Sequence, residues 1–186
     1  MSQGPVFVSG EVARKVFRWE DGIKALQSAY AQSLPATAVP PRTIAQSGGA
    51  WLRTLPAAPV NGRYFGTKLM GAAMKAATPS VEYVIVLFDR ESSRIAAFID
   101  ANLITGFRTA ATSAAALDVL APKQPARLAV IGSGLEASMH TRAVGSIRSL
   151  TEIVVFSPTP DRRALPPYAR RGPAHGAGWR RACRRS

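Results

Sequence analysis

LAVIGSGLEASMHTRAVGSIRSLTEIVVF, residues 128–156, reads as strand, glycine turn, helix, strand. A short apolar run ends at Gly132, a helical stretch with Ala137, His140 and Val144 follows, and a β-branched run closes at Phe156. One such βαβ unit is the opening of a doubly wound parallel sheet. Gly132-x-Gly134-x-x-Ala137 sits where a dinucleotide fingerprint must sit, after a strand and at the start of a helix. The first glycine permits the tight turn. The second lets a pyrophosphate approach the backbone, and Ala137 allows close helix–strand packing. An ordinary strand–helix turn is the competing reading of a lone GxGxxA, and the context favours the nucleotide. The second strand ends in Phe156-Ser157-Pro158-Thr159, with no acid to hold a ribose hydroxyl. That leans toward NADP or a relaxed preference, so the expected cofactor is NAD or NADP, with Arg162 and Arg163 close by.

Upstream the pattern is different. Val6–Val8 reads as a short strand, Ser9 caps a helix over 11–17, and a second helix over 20–32 puts Ile23, Leu26, Ala29 and Tyr30 on one face. Strand-like runs over 42–45, 50–55 and 63–70 are separated by Gly48-Gly49 and by Pro59-Val60-Asn61-Gly62. Runs over 81–89 and 94–100 flank a turn and read as a hairpin, with Asp89 and Asp100 as turn or capping residues. A long alanine-rich helix follows over 102–121, stopped by Pro122. The expected fold class is α/β: an α+β domain over 1–122, an incomplete Rossmann βαβ unit over 123–160, and an irregular basic tail over 161–186.

The net charge of +13 is concentrated in that tail, which carries eight arginines against one aspartate. Arg, Ala, Gly and Pro make up 19 of its 26 residues, without apolar periodicity or a strand pattern. Paired arginines suit phosphate, so a nucleic-acid-contacting binding protein is one reading. The tail lacks interleaved aromatics and begins where a Rossmann sheet should continue, which favours an out-of-frame GC-rich stretch and makes nucleic acid an improbable partner. The single cysteine, Cys183, rules out an intramolecular disulfide and fits a reducing compartment. With no apolar leader and no run near the ~20 residues of a membrane helix, the expected location is cytoplasmic, without a membrane partner.

Three cations stand in apolar or strand-like settings: Arg42, Lys68 and Arg108. Each alone reads as an exposed-face residue, but Arg108, in ITGFRTAATSA, offers a fixed cation at a turn or helix end. Arginine recognises a carboxylate through two parallel hydrogen bonds, and lysine is a point charge whose acidity can be tuned. His140 and His175 have no ligand-spaced partners, so no metal site is expected. Glu136 opens the helix after the glycine turn, where an acid suits the dipole and can touch a cofactor.

The series IVLFD, a hairpin, AAFIDANLITGFRTAATSAAALDVLA, LAVIGSGLEA and EIVVFSPT resembles the ornithine cyclodeaminase/mu-crystallin family in order and spacing, over roughly residues 5–160. The RTAA.S helix followed by the IGxGxxA turn is quite specific to that family, and the whole series together is much stronger than either motif. The resemblance implies a dimerising substrate domain, a Rossmann domain, and NAD-assisted conversion of L-ornithine to L-proline and ammonia. In that reaction a hydride leaves Cα, the δ-amine attacks the resulting imine and expels ammonia, and the hydride returns. It also implies relatives acting as NAD(P)H-dependent alanine dehydrogenases or ketimine reductases. The expected partners are a small amino-acid or cyclic imine substrate and a second copy of the chain.

Carried over by position, Arg42 and Arg108 match the cations that hold the substrate carboxylate. Lys68, in GTKLM, matches the lysine that binds substrate or handles a proton. Ser80, Arg108, Thr109, Gly132, Gly134, Leu135 and Glu136 match cofactor positions, with Glu136 standing where the family more often has glutamine. The family's catalytic aspartate, from the later Rossmann half, has no counterpart here. The 38 residues of 123–160 fall below the ~40 at which domains stand unaided. The expectation is a truncated, frameshifted member of the family, inactive as it stands.

Overall fold

The computed structural model describes residues 4–75, 77–78, 80–158 and 178–181, the last four as backbone. They form β1 (Val6–Val8), α1 (Gly10–Val16), α2 (Trp19–Tyr30), a short 3-10 turn (Ala36–Ala38), β2 (Thr43–Ser47), β3 (Ala50–Ala57), β4 (Tyr64–Ala73), β5 (Ser80–Asp89), β6 (Ile95–Asp100), α3 (Asn102–Leu120), β7 (Ala126–Ile131), α4 (Leu135–Ile147), β8 (Leu150–Phe156) and β9 (Gly178–Arg181). Two compact units result: residues 1–16 with 32–105, and residues 17–31 with 106–186. This division differs from a boundary at 122. α2 and most of α3 group with the βαβ unit, and the two helices touch where Gln27 donates to the Asp118 carboxylate at 3.3 Å and where a Cβ on Gly22 would lie 3.9 Å from that of Ala111.

The first unit is a six-stranded sheet in the order β1-β6-β5-β4-β3-β2. β1 runs parallel to β6 and every other pair is antiparallel. Gly48 and Gly49 close the β2–β3 hairpin with φ of +59° and +94°, the two left-handed positions that a two-residue turn demands. Asp89 caps the β5–β6 turn: its carboxylate accepts from the backbone N–H of Ser92 at 3.0 Å and from the Arg63 guanidinium at 2.9 Å. The bond from Arg63 is the main cause that holds the Asp89 carboxyl down to about 2. Asp100 serves two helix starts, accepting from Asn102 N at 3.1 Å and Gly10 N at 3.2 Å. Ser9 caps α1 through a 3.3 Å bond from Val12 N. Both aspartates and Ser9 thus act as their sequence context suggests.

The second unit is a parallel sheet, β7-β8-β9, with α4 as the crossover from β7 to β8. Its core gathers Val144, Leu150, Ile153 and Val155, with Leu117, Leu128, Val130 and Ala137 packed against them. The alanines of α3 explain themselves here, since Ala110, Ala111 and Ala114 are fully buried and admit close neighbours. Phe17 stacks on Phe107 with ring centroids 4.3 Å apart, and Trp19 meets both rings edge-on. β9 departs from a tail read as free of strands: Gly178–Arg181 pairs parallel with β8. Backbone donors and acceptors on the outer edge of β8 take almost any sequence as a partner, so apolar patterning gives no warning of such a strand. The remainder of 161–186 lies outside the described residues.

Arg148 closes the end of α3. Its side chain is 3% exposed and pairs with Asp118 at 2.6 Å. It also donates to the carbonyls of Pro122, Ile147, Leu117, Asp118 and Ala121. Lys123 binds the same carboxylate at 2.6 Å, and these two cations, Lys123 first, hold the Asp118 carboxyl down to about 2. An unfolded aspartate titrates near 3.9. The folded form therefore gains stability from Asp118 in full above about pH 4, and loses it as pH falls toward 2. We expect the denaturation midpoint of wild type to drop across that window more than that of Asp118→Asn; parallel curves would contradict this.

Candidate nucleotide turn and carboxylate cations

The expected site residues divide between the two units. Arg42, Lys68 and Ser80 belong to the first; Arg108, Thr109, Gly132, Gly134, Leu135 and Glu136 belong to the second.

In the first unit, Lys68 lies mid-β4, opposite Leu55 on β3 and Ile85 on β5. It is half-buried, and its ammonium sits over the Tyr83 ring at 5.2 Å from the centroid. The two residues are diagonal neighbours on one face, a spacing that brings a long side chain onto a ring. Arg42 is exposed in the segment leading into β2. Ser80 is exposed as the first residue of β5, opposite Ala73.

In the second unit the glycine turn has the backbone that its sequence demands. Gly132 adopts φ +121°, a region that residues with a side chain rarely adopt, and its N–H donates to the Phe156 carbonyl at 2.8 Å. This bond ties the turn to the end of β8. Gly134 is the N-cap of α4 with extended φ and ψ, and no side chain caps the helix. The first N–H groups of α4 therefore have no acceptor within the helix, and they form the positive end of its dipole. A Cβ built on Gly132 would lie 3.9 Å from that of Ala137, an ordinary van der Waals contact, so the φ and not crowding is what requires glycine there. Gly132, Gly134, Leu135 and Glu136 line one cavity of about 740 Å³, together with Ser113 and His140. Such a turn and helix start present donors to a pyrophosphate without a side chain in the way.

Arg108 requires a correction. It is the seventh residue of α3, not a residue of a turn or helix end, because Asp100 has already capped the helix at Asn102. Its guanidinium is exposed, and its carbonyl accepts from Thr112 Oγ1 at 2.7 Å. Thr109, one residue on, accepts through its carbonyl from Ser113 Oγ at 3.4 Å.

Three features escaped the sequence reading. Ser133 Oγ donates to Ser157 Oγ at 3.1 Å, and Ser157, 4% exposed, stands where a ribose-binding acid was sought. His140 bridges the two helices, with Nε2 3.1 Å from Ser113 Oγ and Nδ1 2.8 Å from the Glu136 carbonyl. Arg148 is the third. Each is a long-range contact; only the i, i+4 spacing of Glu136 and His140 was visible beforehand. Among the described residues no group of His, Cys, Asp and Glu is placed to hold a metal ion, and no helix is long and apolar enough to cross a membrane.

An α+β unit followed by a parallel βαβ unit with a glycine-rich first turn defines a protein of the Rossmann-containing class. The chain matches the model of the ornithine cyclodeaminase/mu-crystallin family over residues 8–165, and it belongs to that family. It is 28% identical over 156 residues to the Δ1-pyrroline-2-carboxylate reductase of Paracoccus denitrificans, covering 78% of this chain and 46% of the relative. The NAD(P)H-dependent anabolic L-arginine dehydrogenase of Pseudomonas aeruginosa is 36% identical over 101 residues, 54% of this chain and 32% of that one. In structure, the iminosuccinate reductase of Paracoccus denitrificans in complex with NAD+ superposes with a TM-score of 0.79 at 21% identity. That likeness shows the fold, over 97% of this chain and 57% of the neighbour. The matches span from about a third to somewhat over half of the length of these relatives: 46%, 32% and 57%.

Proposed function

We propose that the chain binds NAD or NADP through the Gly132–Glu136 turn and belongs to an enzyme that moves a hydride to or from the α-carbon of a small amino acid or cyclic imine. The observation that carries this reading is the turn itself. Gly132 holds φ +121°, its N–H is anchored on Phe156, and the uncapped start of α4 opens onto the cavity. When bound, the nicotinamide supplies the hydride acceptor or donor. The chain's own residues have separate tasks. The α4 N–H groups take the pyrophosphate, Arg42 and Arg108 take the substrate carboxylate, and Lys68 binds substrate or passes a proton. Ser80, Thr109, Leu135 and Glu136 complete the cofactor contacts in this reading.

The finer assignment is an ornithine cyclodeaminase, forming L-proline and ammonia from L-ornithine. A second reading, a dehydrogenase or ketimine reductase, is favoured by the pyrroline-carboxylate reductase, the arginine dehydrogenase and the ketimine reductase mu-crystallin among the relatives. We expect the 186-residue chain to bind nucleotide. A homodimer fits this reading, and one solved structure of this fold is an alanine dehydrogenase dimer with bound NAD.

The test is a fluorescence titration with NADH and with NADPH, beside assays for proline from ornithine and for nucleotide oxidation with Δ1-pyrroline-2-carboxylate. We expect saturable binding that Gly132→Val abolishes. Wild-type protein that ignores both nucleotides would remove the reading. Product in one assay decides between the two chemistries.

A further inference from the structure

We propose that His140 is a positioning residue for the nucleotide turn, pinning the first turn of α4 to the helix that carries Arg108. The inference rests on the nucleotide reading of that turn.

A helix start that must present its N–H groups to an anion has to be held still, and the usual device is a side-chain cap. Here the N-cap is Gly134, and it offers none. The restraint comes from one turn further along. His140 Nδ1 lies 2.8 Å from the Glu136 carbonyl, four residues back on α4. A carbonyl oxygen can only accept, so Nδ1 carries the proton in the neutral ring, and Nε2 is left as an acceptor. Nε2 faces Ser113 Oγ at 3.1 Å, on α3. The Ser113 hydroxyl has one proton and two candidate acceptors, Nε2 at 3.1 Å and the Thr109 carbonyl at 3.4 Å. The shorter contact and the ring's tautomer both direct it to His140. The ring thus joins the backbone of the first turn of α4 to a side chain of α3.

Packing supports the same link. A Cβ on Gly106 of α3 would overlap Met139 Sδ and come within 3.4 Å of Glu136 Oε1. The two helices therefore meet at Gly106 against Met139 and again at Ser113 against His140. Met139 is buried, and Glu136, the other residue that Gly106 approaches, belongs to the cavity-lining first turn of α4. Arg108 lies between Gly106 and Ser113 in sequence, and so on the segment of α3 that these two contacts bracket. The carboxylate cation and the phosphate turn are held in one frame by His140.

The test is NADH affinity, measured by fluorescence in the 186-residue chain, for wild type and a short series of variants. Ser113→Ala and His140→Asn each remove the hydrogen bond between the helices, while asparagine can still reach the Glu136 carbonyl. Each is expected to weaken NADH binding about three- to tenfold, the scale of one hydrogen bond. The double variant is expected to be no weaker than either single one, because both remove the same bond. Ser113→Thr keeps the hydroxyl and is expected to bind within about twofold of wild type, a rescue that a packing role alone would not produce. Wild-type affinity in both Ser113→Ala and His140→Asn overturns the inference. So does a Ser113→Thr variant as weak as Ser113→Ala. Failure of the wild type itself to bind NADH removes the nucleotide reading, and this inference with it.

Discussion

Arg148→Ala is expected to destabilise the second unit by about 3 kcal/mol, the lower end of what breaking a buried ion pair costs. The lower end applies because Asp118 is 27% exposed and keeps Lys123 at 2.6 Å. Most of the loss falls on the backbone. Asp118 and Ala121 lie in or just beyond the last turn of α3, where carbonyls lack a helical partner, and the guanidinium reaches both, sharing the Asp118 carbonyl with Lys123 at 2.8 Å. It also reaches the Leu117 carbonyl, which already accepts from Ala121 N at 2.9 Å. Its charge also suits the negative end of the α3 dipole. Arg148→Lys is expected to recover part of the stability, since one ammonium can meet Asp118 but cannot fork over several carbonyls. Trp19, packed against Phe17 and Phe107, reports on this unit by fluorescence once Trp51 and Trp179 are replaced by phenylalanine. A loss below about 1 kcal/mol would mean that water serves these carbonyls as well as the arginine does.

What was legible in the sequence was the part governed by local rules. Alternation and turn chemistry located the strands, because Gly48-Gly49 has a backbone that only glycine adopts readily and Asp89 has a capping geometry four residues long. The glycine fingerprint was legible for the same reason: Gly132 and Ala137 meet within one strand–helix turn. Arg148 was not, because a charged residue before a strand looks identical whether it faces water or five carbonyls. Lys68 shows the same limit. Its partner Tyr83 is fifteen positions away, and only the β4–β5 register makes them neighbours. The placement of α2 failed differently, since its apolar stripe states that a face is buried but not against which unit. Arg42 and Arg108 stood out as cations in apolar or strand-like settings, and the carboxylate-binding role came only from the family resemblance.

Gly66→Ala is expected to be as damaging to the first unit as Arg148→Ala is to the second, at about 3 kcal/mol. Gly66 lies on β4 between Ala57 of β3 and Leu87 of β5. A Cβ there would overlap the Val86 carbonyl oxygen, and it would stand 3.1 Å from the Val86 carbonyl carbon and 3.2 Å from Leu87 Cα. All of these are backbone atoms of a strand paired on both sides, so no rotamer change can clear the way. Relief requires β4 and β5 to separate, which breaks ladder hydrogen bonds and disturbs the Phe65–Phe88 stack, whose centroids are 5.4 Å apart. Lys68 is two residues along β4, so the same separation lifts its ammonium from the Tyr83 ring. Gly71 provides the control: it lies on the same strand, with nothing within 4 Å of its built Cβ. Gly71→Ala should change stability by no more than about 0.5 kcal/mol. Trp51, on β3 beside the Arg53 guanidinium, gives the fluorescence readout for this unit. Equal effects from the two substitutions would show that the spacing of β4 and β5 yields to a methyl group. The position of Lys68 would then depend on something other than the closeness of those two strands.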